Sequence, residues 1–373
     1  MTFRWLTLVT LLVSTSLMLS CRKSGFSGTK SPMDPHFHEN GPWFEGWYTR
    51  IVDHAGQRDF AVIVGSFVRQ GVKFSDSPLE GYVALVIHDH KTGKTETVEG
   101  FPERTELQAS GEPVTKNPDD KSNANFRWQA DSFGSMTQDS IDLKFPSGEV
   151  FKAQFSSTRP IFPDQPWVGP EGLAAKLPFI WSHWFIYSLA SDTNYQFSKG
   201  STQITGRAVS HMEKNYGSGF PSSWIWLHAI SENGANRLSL AGGPAPVSLI
   251  QPEVWSAIFK TEKIDWVFLP GIKNLTVTRD IKPCDGEFQI TILNPLKKLE
   301  IRAKGSRSDF VGIATASPKG WVKAGAHENY NAHIEIDAYE LNLLGQQTLV
   351  QHVSADNSVL EFGGTHRCPT MKL

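Results

Sequence analysis

The sequence predicts an all-β protein made of two β-barrel or β-sandwich domains. Short runs of β-branched and aromatic residues recur along the chain between clusters of Gly, Asn, Asp and Pro, and long stretches of helical periodicity are scarce. The 373 residues include 31 Gly and 22 Pro, a supply of turn residues that suits many short strands. The roughly 335 residues that follow the N-terminal segment exceed one small barrel, which argues for two domains.

Residues 1–20 (MTFRWLTLVTLLVSTSLMLS) carry a single basic residue, Arg4, an apolar run of signal-peptide length, and small residues before Cys21. This is the pattern of an export signal. A membrane span, the alternative, takes about 20 apolar residues, and Ser14, Thr15 and Ser16 interrupt this run. Met18-Leu19-Ser20-Cys21 is similar to a bacterial lipobox, so Cys21 is a candidate lipidation site, with plain secretion as the alternative. The chain is therefore expected to be exported, either as a membrane-anchored lipoprotein or as a secreted or periplasmic protein. Residues 21–33, rich in Gly, Ser and Lys, read as a tether.

The folded body then begins near Asp34. Its clearest strands are residues 60–68 (FAVIVGSFV) and 81–88 (GYVALVIH). Further runs fall at 141–145, 150–155, 181–189, 224–230, 237–241, 275–278, 288–292, 299–303 and 332–340. A Pro/Gly-rich stretch, residues 160–178, interrupts them and is the expected crossing between an N-terminal domain, 34–180, and a C-terminal domain, 181–368. A loose two-fold echo places closely spaced Trp at 43–48 (WFEGWY) and at 222–228 (SSWIWLH).

Composition narrows the function. With 36 basic and 38 acidic residues and no basic run, the chain lacks the electrostatic footprint of a nucleic-acid partner. Twelve Trp and 23 Phe against 7 Tyr point to large apolar surfaces in a core or a ligand cavity. No zinc-type Cys/His spacing, nucleophile elbow, Walker loop or dinucleotide fingerprint occurs. His36/His38 and His88/His90 have strand spacing suited to a metal, but lacking a placed third ligand they read as solvent-facing histidines, and no metal is expected. If Cys21 is lipidated, Cys284 and Cys368 remain, either as a disulfide or as two buried thiols.

Strand parity gives the Trp clusters meaning. Trp43, Glu45 and Trp47 share one face of a strand, and Phe44, Gly46 and Tyr48 the other. Trp224, Trp226 and His228 share a face, as do Trp181, His183 and Phe185. A carboxyl held between indoles is desolvated and kept protonated, as a general acid must be. The alternative role for Glu45 is a structural ion pair with Arg50 or Arg69.

Several blocks occur in register with a known family. Pro35-His36 followed by Phe44-Glu45-Gly46-Trp47-Tyr48, then residues 210–230 (SHMEKNYGSGFPSSWIWLHAI), resemble the signature blocks of tocopherol cyclases. His183-Trp184, residues 237–243 (RLSLAGG) and residues 360–364 (LEFGG) also resemble family positions. The resemblance implies two lipocalin-like β domains and a proton-initiated closure of a prenylated quinol to a chromanol, of vitamin E type, with no cofactor. Its partner would be a hydrophobic small molecule, a prenyl quinol or other isoprenoid lipid. Within it Glu45 is the first candidate acid, Glu213 its competitor, and His183 a phenol-orienting or proton-shuttling group. Trp43, Trp47, Tyr48, Trp184, Tyr216, Trp224 and Trp226 are the candidate cavity walls. Residues 214–217 read as a turn block docking one domain on the other. A non-catalytic, exported lipid-binding protein of the same fold is the alternative.

Overall fold

Strict alternation marks the strands that bury a single face. Val150–Ser156 (VFKAQFS) sends Phe151, Ala153 and Phe155 into a core while the residues between them stay exposed. Runs without alternation are covered on both faces: every residue of Ser223–Ile230 (SWIWLHAI) is buried. The two patterns reflect one architecture, in which two curled antiparallel sheets each enclose a core and then pack against one another.

The computed structural model describes residues 31–36, 38–110, 125–176, 180–245, 252–270 and 276–371. The expected export signal, Cys21 and most of the tether lie outside the described residues. The first sheet comprises β1 (Trp43–Asp53), β2 (Arg58–Val68), β3 (Glu80–Asp89), β4 (Lys94–Gly100), β5 (Glu106–Gln108), β6 (Arg127–Ala130), β7 (Gly134–Thr137), β8 (Ser140–Lys144), β9 (Val150–Ser156), β10 (Ser182–Lys199) and β11 (Thr202–Gly217). The second comprises β12 (Ser223–Ile230), β13 (Arg237–Pro244), β14 (Glu253–Lys260), β15 (Asp265–Phe268), β16 (Thr276–Lys282), β17 (Glu287–Asn294), β18 (Lys297–Lys304), β19 (Phe310–Ser317), β20 (Gly320–Leu341) and β21 (Gln347–Gly364). Two short 3-10 segments, Gly172–Lys176 and Arg307–Asp309, are the only helical turns among the described residues.

In the first sheet the order is β4-β3-β2-β1-β11-β10-β9-β8-β7-β6-β5, and in the second β15-β14-β13-β12-β21-β20-β18-β17-β16, with β19 also on β20. The first strand of each sheet pairs with its last, so β1 and β12 hold equivalent places; this gives the Trp echo of the sequence a structural counterpart. Sheet membership changes between Gly217 and Ser223. Residues 182–217, which the sequence reading assigns to the second domain, are hydrogen-bonded into the first sheet, because β11 pairs with β1. The Pro/Gly-rich stretch connects β9 to β10, which are neighbours in the same sheet. Residues 214–217 are likewise the end of a strand and not a turn.

Trp47, Phe60, Val62, Val83, Phe126 and Trp128 centre the first core, and Ile225, Leu240, Trp255, Phe288 and Ile334 the second. A third cluster lies between the sheets and joins Tyr48, Tyr82 and Val86 to Trp224, Trp226, Ile313 and Tyr330. Cys284 and Cys368 form a disulfide that ties the chain end to the turn between β16 and β17.

Candidate functional site

The parity expected for β1 is present, and it divides the strand's residues between two environments. Trp47 turns into the first core, donating from Nε1 to the Met33 carbonyl at 3.0 Å and packing on Phe126. Trp43 packs with Val68, Leu79 and Ala109. Phe44, Gly46 and Tyr48 face the second sheet, where they border a cavity of about 200 Å3 between the sheets; Trp47 borders it as well, although its ring packs in the first core. Its walls are mainly apolar and carry many aromatic rings, among them Tyr82, Trp184, Phe220, Trp224, Trp226 and Trp321. Four carboxyl groups border this apolar space: Glu171 at one side, and Glu213, Glu328 and Glu361 together.

Gly46 and Gly65 sit opposite one another across β1 and β2, and both border the cavity. A Cβ added at Gly46 would come no closer than 3.6 Å to the Val64 carbonyl, so a side chain there would extend into the space without displacing the strands. Gly46→Leu is expected to keep the wild-type unfolding midpoint and weaken uptake of an apolar fluorescent probe at least tenfold, about 1.4 kcal/mol. Titration with the probe and a urea melt check the two halves of this expectation.

Glu328 on β20 and Glu361 on β21 are register partners, and like charges placed directly opposite destabilise a sheet. The conflict is resolved by protonation. Burial pushes Glu328 up to about 7, with the Glu213 charge adding to the rise and the Tyr330 hydroxyl opposing it. Burial, then the neighbouring charge of Glu328, hold Glu361 well above the ordinary carboxyl range although Trp224 Nε1 donates to its Oε1. The two carboxyls are hydrogen-bonded to each other. Tyr48 and Tyr330 extend the network, their hydroxyls 3.2 Å apart, and both are kept neutral by burial.

Glu213 on β11 completes the cluster. Its Oε2 is 2.8 Å from His211 Nε2 and accepts from Trp226 Nε1 at 3.2 Å. The His211 ring lies 4.3 Å from that of His228, which burial holds neutral, well below its usual range. His228 Nδ1 in turn faces Arg50 Nη1 at 2.9 Å.

Glu45 is placed differently. It does not border the cavity; it is fully buried and bonded to Lys214 Nζ at 2.8 Å, and accepts from the His36 backbone N–H at 2.5 Å. Burial raises its pKa, but Lys214 and the His36 hydrogen bonds outweigh that and hold the carboxyl below its ordinary value. The ion pair expected with Arg50 or Arg69 forms with Lys214; Arg50 pairs with Asp59, and Arg69 with Glu80. Tyr216, three residues from Glu213, is also away from the cavity, stacked between His36 and His183 at 4.5 and 4.9 Å. The signature blocks around residues 35, 45 and 214 thus meet in one ionic cluster beside the cavity.

His183 and Trp184 do border the cavity, clamped by Glu171. Its Oε2 is 2.8 Å from His183 Nδ1, and its Oε1 accepts from the Trp184 backbone N–H at 2.7 Å. The histidines read as solvent-facing are largely otherwise engaged. His88 is fully buried 3.0 Å from Thr95 Oγ1, and His90 Nε2 lies 2.8 Å from Asp59, because β3 is covered on both faces. Among the described residues no group of three or more His, Cys, Asp or Glu is arranged to hold a metal ion. Sequence reasoning missed Glu171, Glu328, Tyr330 and Glu361 as site residues. Only Glu361, inside the 360–364 block, carried a signal.

The model of the tocopherol cyclase-like family matches residues 169–364, more than half of the chain, and the chain belongs to that family. No curated protein sequence is similar to it at a significant level. By fold it is similar to the crystal structure of CghA with Sch210972, at 10% identity and a TM-score of 0.53 over 91% of this chain and 93% of that one. It is also similar to kievitone hydratase from Nectria haematococca, at 11% identity and a TM-score of 0.50 over 92% of this chain and 95% of that one. At this identity the likeness is one of fold: two lipocalin-like β units.

Proposed function

We propose that this member of the tocopherol cyclase-like family closes a ring on a prenylated quinol by protonating its alkene. The observation that carries the reading is the pair Glu328 and Glu361, register partners whose carboxyls meet in an aromatic cavity and stay protonated toward neutral pH. Carbon protonation demands an acid that retains its proton at working pH, and surroundings that keep water from the cation.

The doubly protonated pair gives one proton to the less substituted alkene carbon, the one nearer the ring, leaving a tertiary cation on the substituted carbon beyond it. The carboxylate that results stays hydrogen-bonded to the remaining carboxyl. Aromatic faces of Trp224 and Trp226 stabilise the cation. The phenolic oxygen then forms the C–O bond, and its proton returns to the carboxylates. Bonds and charge balance within one molecule, the product is an isomer, and no electrons are exchanged. In this scheme His183, which borders the cavity and is clamped by Glu171, holds the ring hydroxyl. Glu45 belongs to the supporting ion cluster in this scheme, and Glu213, joined to His211, shapes the charge around the pair.

The test is chromanol formation from a prenyl quinol across pH. The proton delivered is the one held with a value of about 7, so kcat/KM is expected to fall as pH rises through about 7. Absence of turnover at every pH, with the quinol still bound, would move the assignment to an isoprenoid-binding protein. A rate that climbs steadily above pH 8 would exclude Glu328 and Glu361 as the acid.

A further inference from the structure

We propose that the described part of the connection between β9 and β10, residues 157–176 and 180–181, is a membrane-docking strap beside the cavity; the inference rests on the apolar ligand proposed above. Ala174 and Ile180 border the cavity, while their immediate neighbours Leu173 and Trp181 are 67% and 45% exposed. At these described residues the wall is apolar both toward the cavity and toward the outside. Trp167, on the same connection, is 52% exposed. Exposed indoles and leucine at a cavity wall are costly in water and suit the headgroup region of a bilayer.

The position of the chain's start argues for the same occupant. The described residues begin at Ser31, after a sequence with an apolar leader and a candidate lipidation site at Cys21. Near this start His36 stacks on Tyr216, Tyr216 stacks on His183, and His183 is bonded to Glu171 of the strap. A ten-residue tether spans at most about 35 Å when extended. An anchor at Cys21 would hold this face of the protein against the membrane. Charge on the connection is balanced, Arg159 and Lys176 against Asp164 and Glu171, so docking should proceed on neutral lipid.

The experiment uses the full chain with phosphatidylcholine vesicles that contain bromine-labelled lipid, a short-range quencher of Trp fluorescence. Wild type is expected to be quenched, and Trp167→Phe/Trp181→Phe to lose at least half of that quenching while its circular dichroism is unchanged. An unquenched wild type, or equal quenching in the double variant, would overturn the proposal. Should the double variant misfold, Leu173→Ser supplies the second measurement: its partition onto the same vesicles should drop at least fivefold, and wild-type partition would overturn the proposal. The readouts are independent of turnover. A quenched but inactive protein would therefore count against the cyclase and leave the docking face standing.

Discussion

Glu361→Gln is expected to lower turnover of a prenyl quinol by roughly 10^2- to 10^4-fold, the usual contribution of a general acid. Glutamine keeps the volume and the acceptor oxygen that Trp224 Nε1 uses, so the cavity should retain its shape. What it lacks is the acidic proton shared across the β20–β21 pair. Glu328→Gln has a different expected signature. It removes the charge that, after burial, contributes most to the raised pKa of Glu361, and it abolishes the titration near 7. Because the proton held near 7 is the one delivered, turnover should fall in this variant too, and what remains should no longer follow a titration at about 7.

Stability supplies a readout that catalysis does not touch. A carboxyl whose folded-state pKa is raised contributes stability that is complete below its unfolded value and is lost as pH rises through the folded one. For Glu328 that loss spans the interval from the ordinary carboxyl range up to about 7. Glu328→Gln has nothing to lose there, and at pH 8 it should unfold at higher denaturant than wild type. Calorimetry and urea melts at pH 5 and pH 8 check the crossing. Full activity in Glu361→Gln would remove the pair from the mechanism, whatever the melts show.

How much of this could be read from sequence depends on the strand. Where one face is solvated, as in Val150–Ser156, alternation marks the strand directly. In β3 and β12 both faces are covered, and the continuous apolar runs identified the strands but not which face met which core. That explains Glu45: its parity with Trp43 and Trp47 was legible, but of these three only Trp47 borders the cavity, which lies mainly on the face of Phe44, Gly46 and Tyr48. Lys214 lies within the 210–230 block, yet its pairing with Glu45 depends on the β1–β11 register, which brings residues far apart in sequence together. Glu328 was the least visible. β20 runs from the inter-sheet contact, where Glu328 is buried, to an outer half that alternates, and the sequence has no marker where one environment gives way to the other. A carboxylate in such a strand looks like any other until the partner strand places a second one opposite it.

The largest stability effect is expected at Arg50→Met. Arg50 and Asp59 are almost wholly buried and ion-paired, and Arg50 also donates to the carbonyls of His228 and Asn357 in the second sheet. The guanidinium of β1 therefore ties one sheet to the other and neutralises a buried carboxylate in the same step. Burial alone would raise Asp59, but the charges and hydrogen bonds of Arg50 and His90 outweigh it and hold it below its ordinary range. The stability so gained is present above the unfolded carboxyl value and is lost as pH falls through the folded one. Methionine fills much of the arginine stem's volume but leaves Asp59 with His90 as its remaining partner, and breaking a buried pair from one side costs about 3–5 kcal/mol. The double variant Arg50→Met/Asp59→Leu should recover most of that loss, because the penalty comes from the uncompensated charge more than from the missing bond. Urea melts of the single and double variants at pH 7 measure both numbers. A single variant costing less than about 1 kcal/mol, the range of an exposed pair, would mean that water reaches Asp59 and that the sheets are not closed over it.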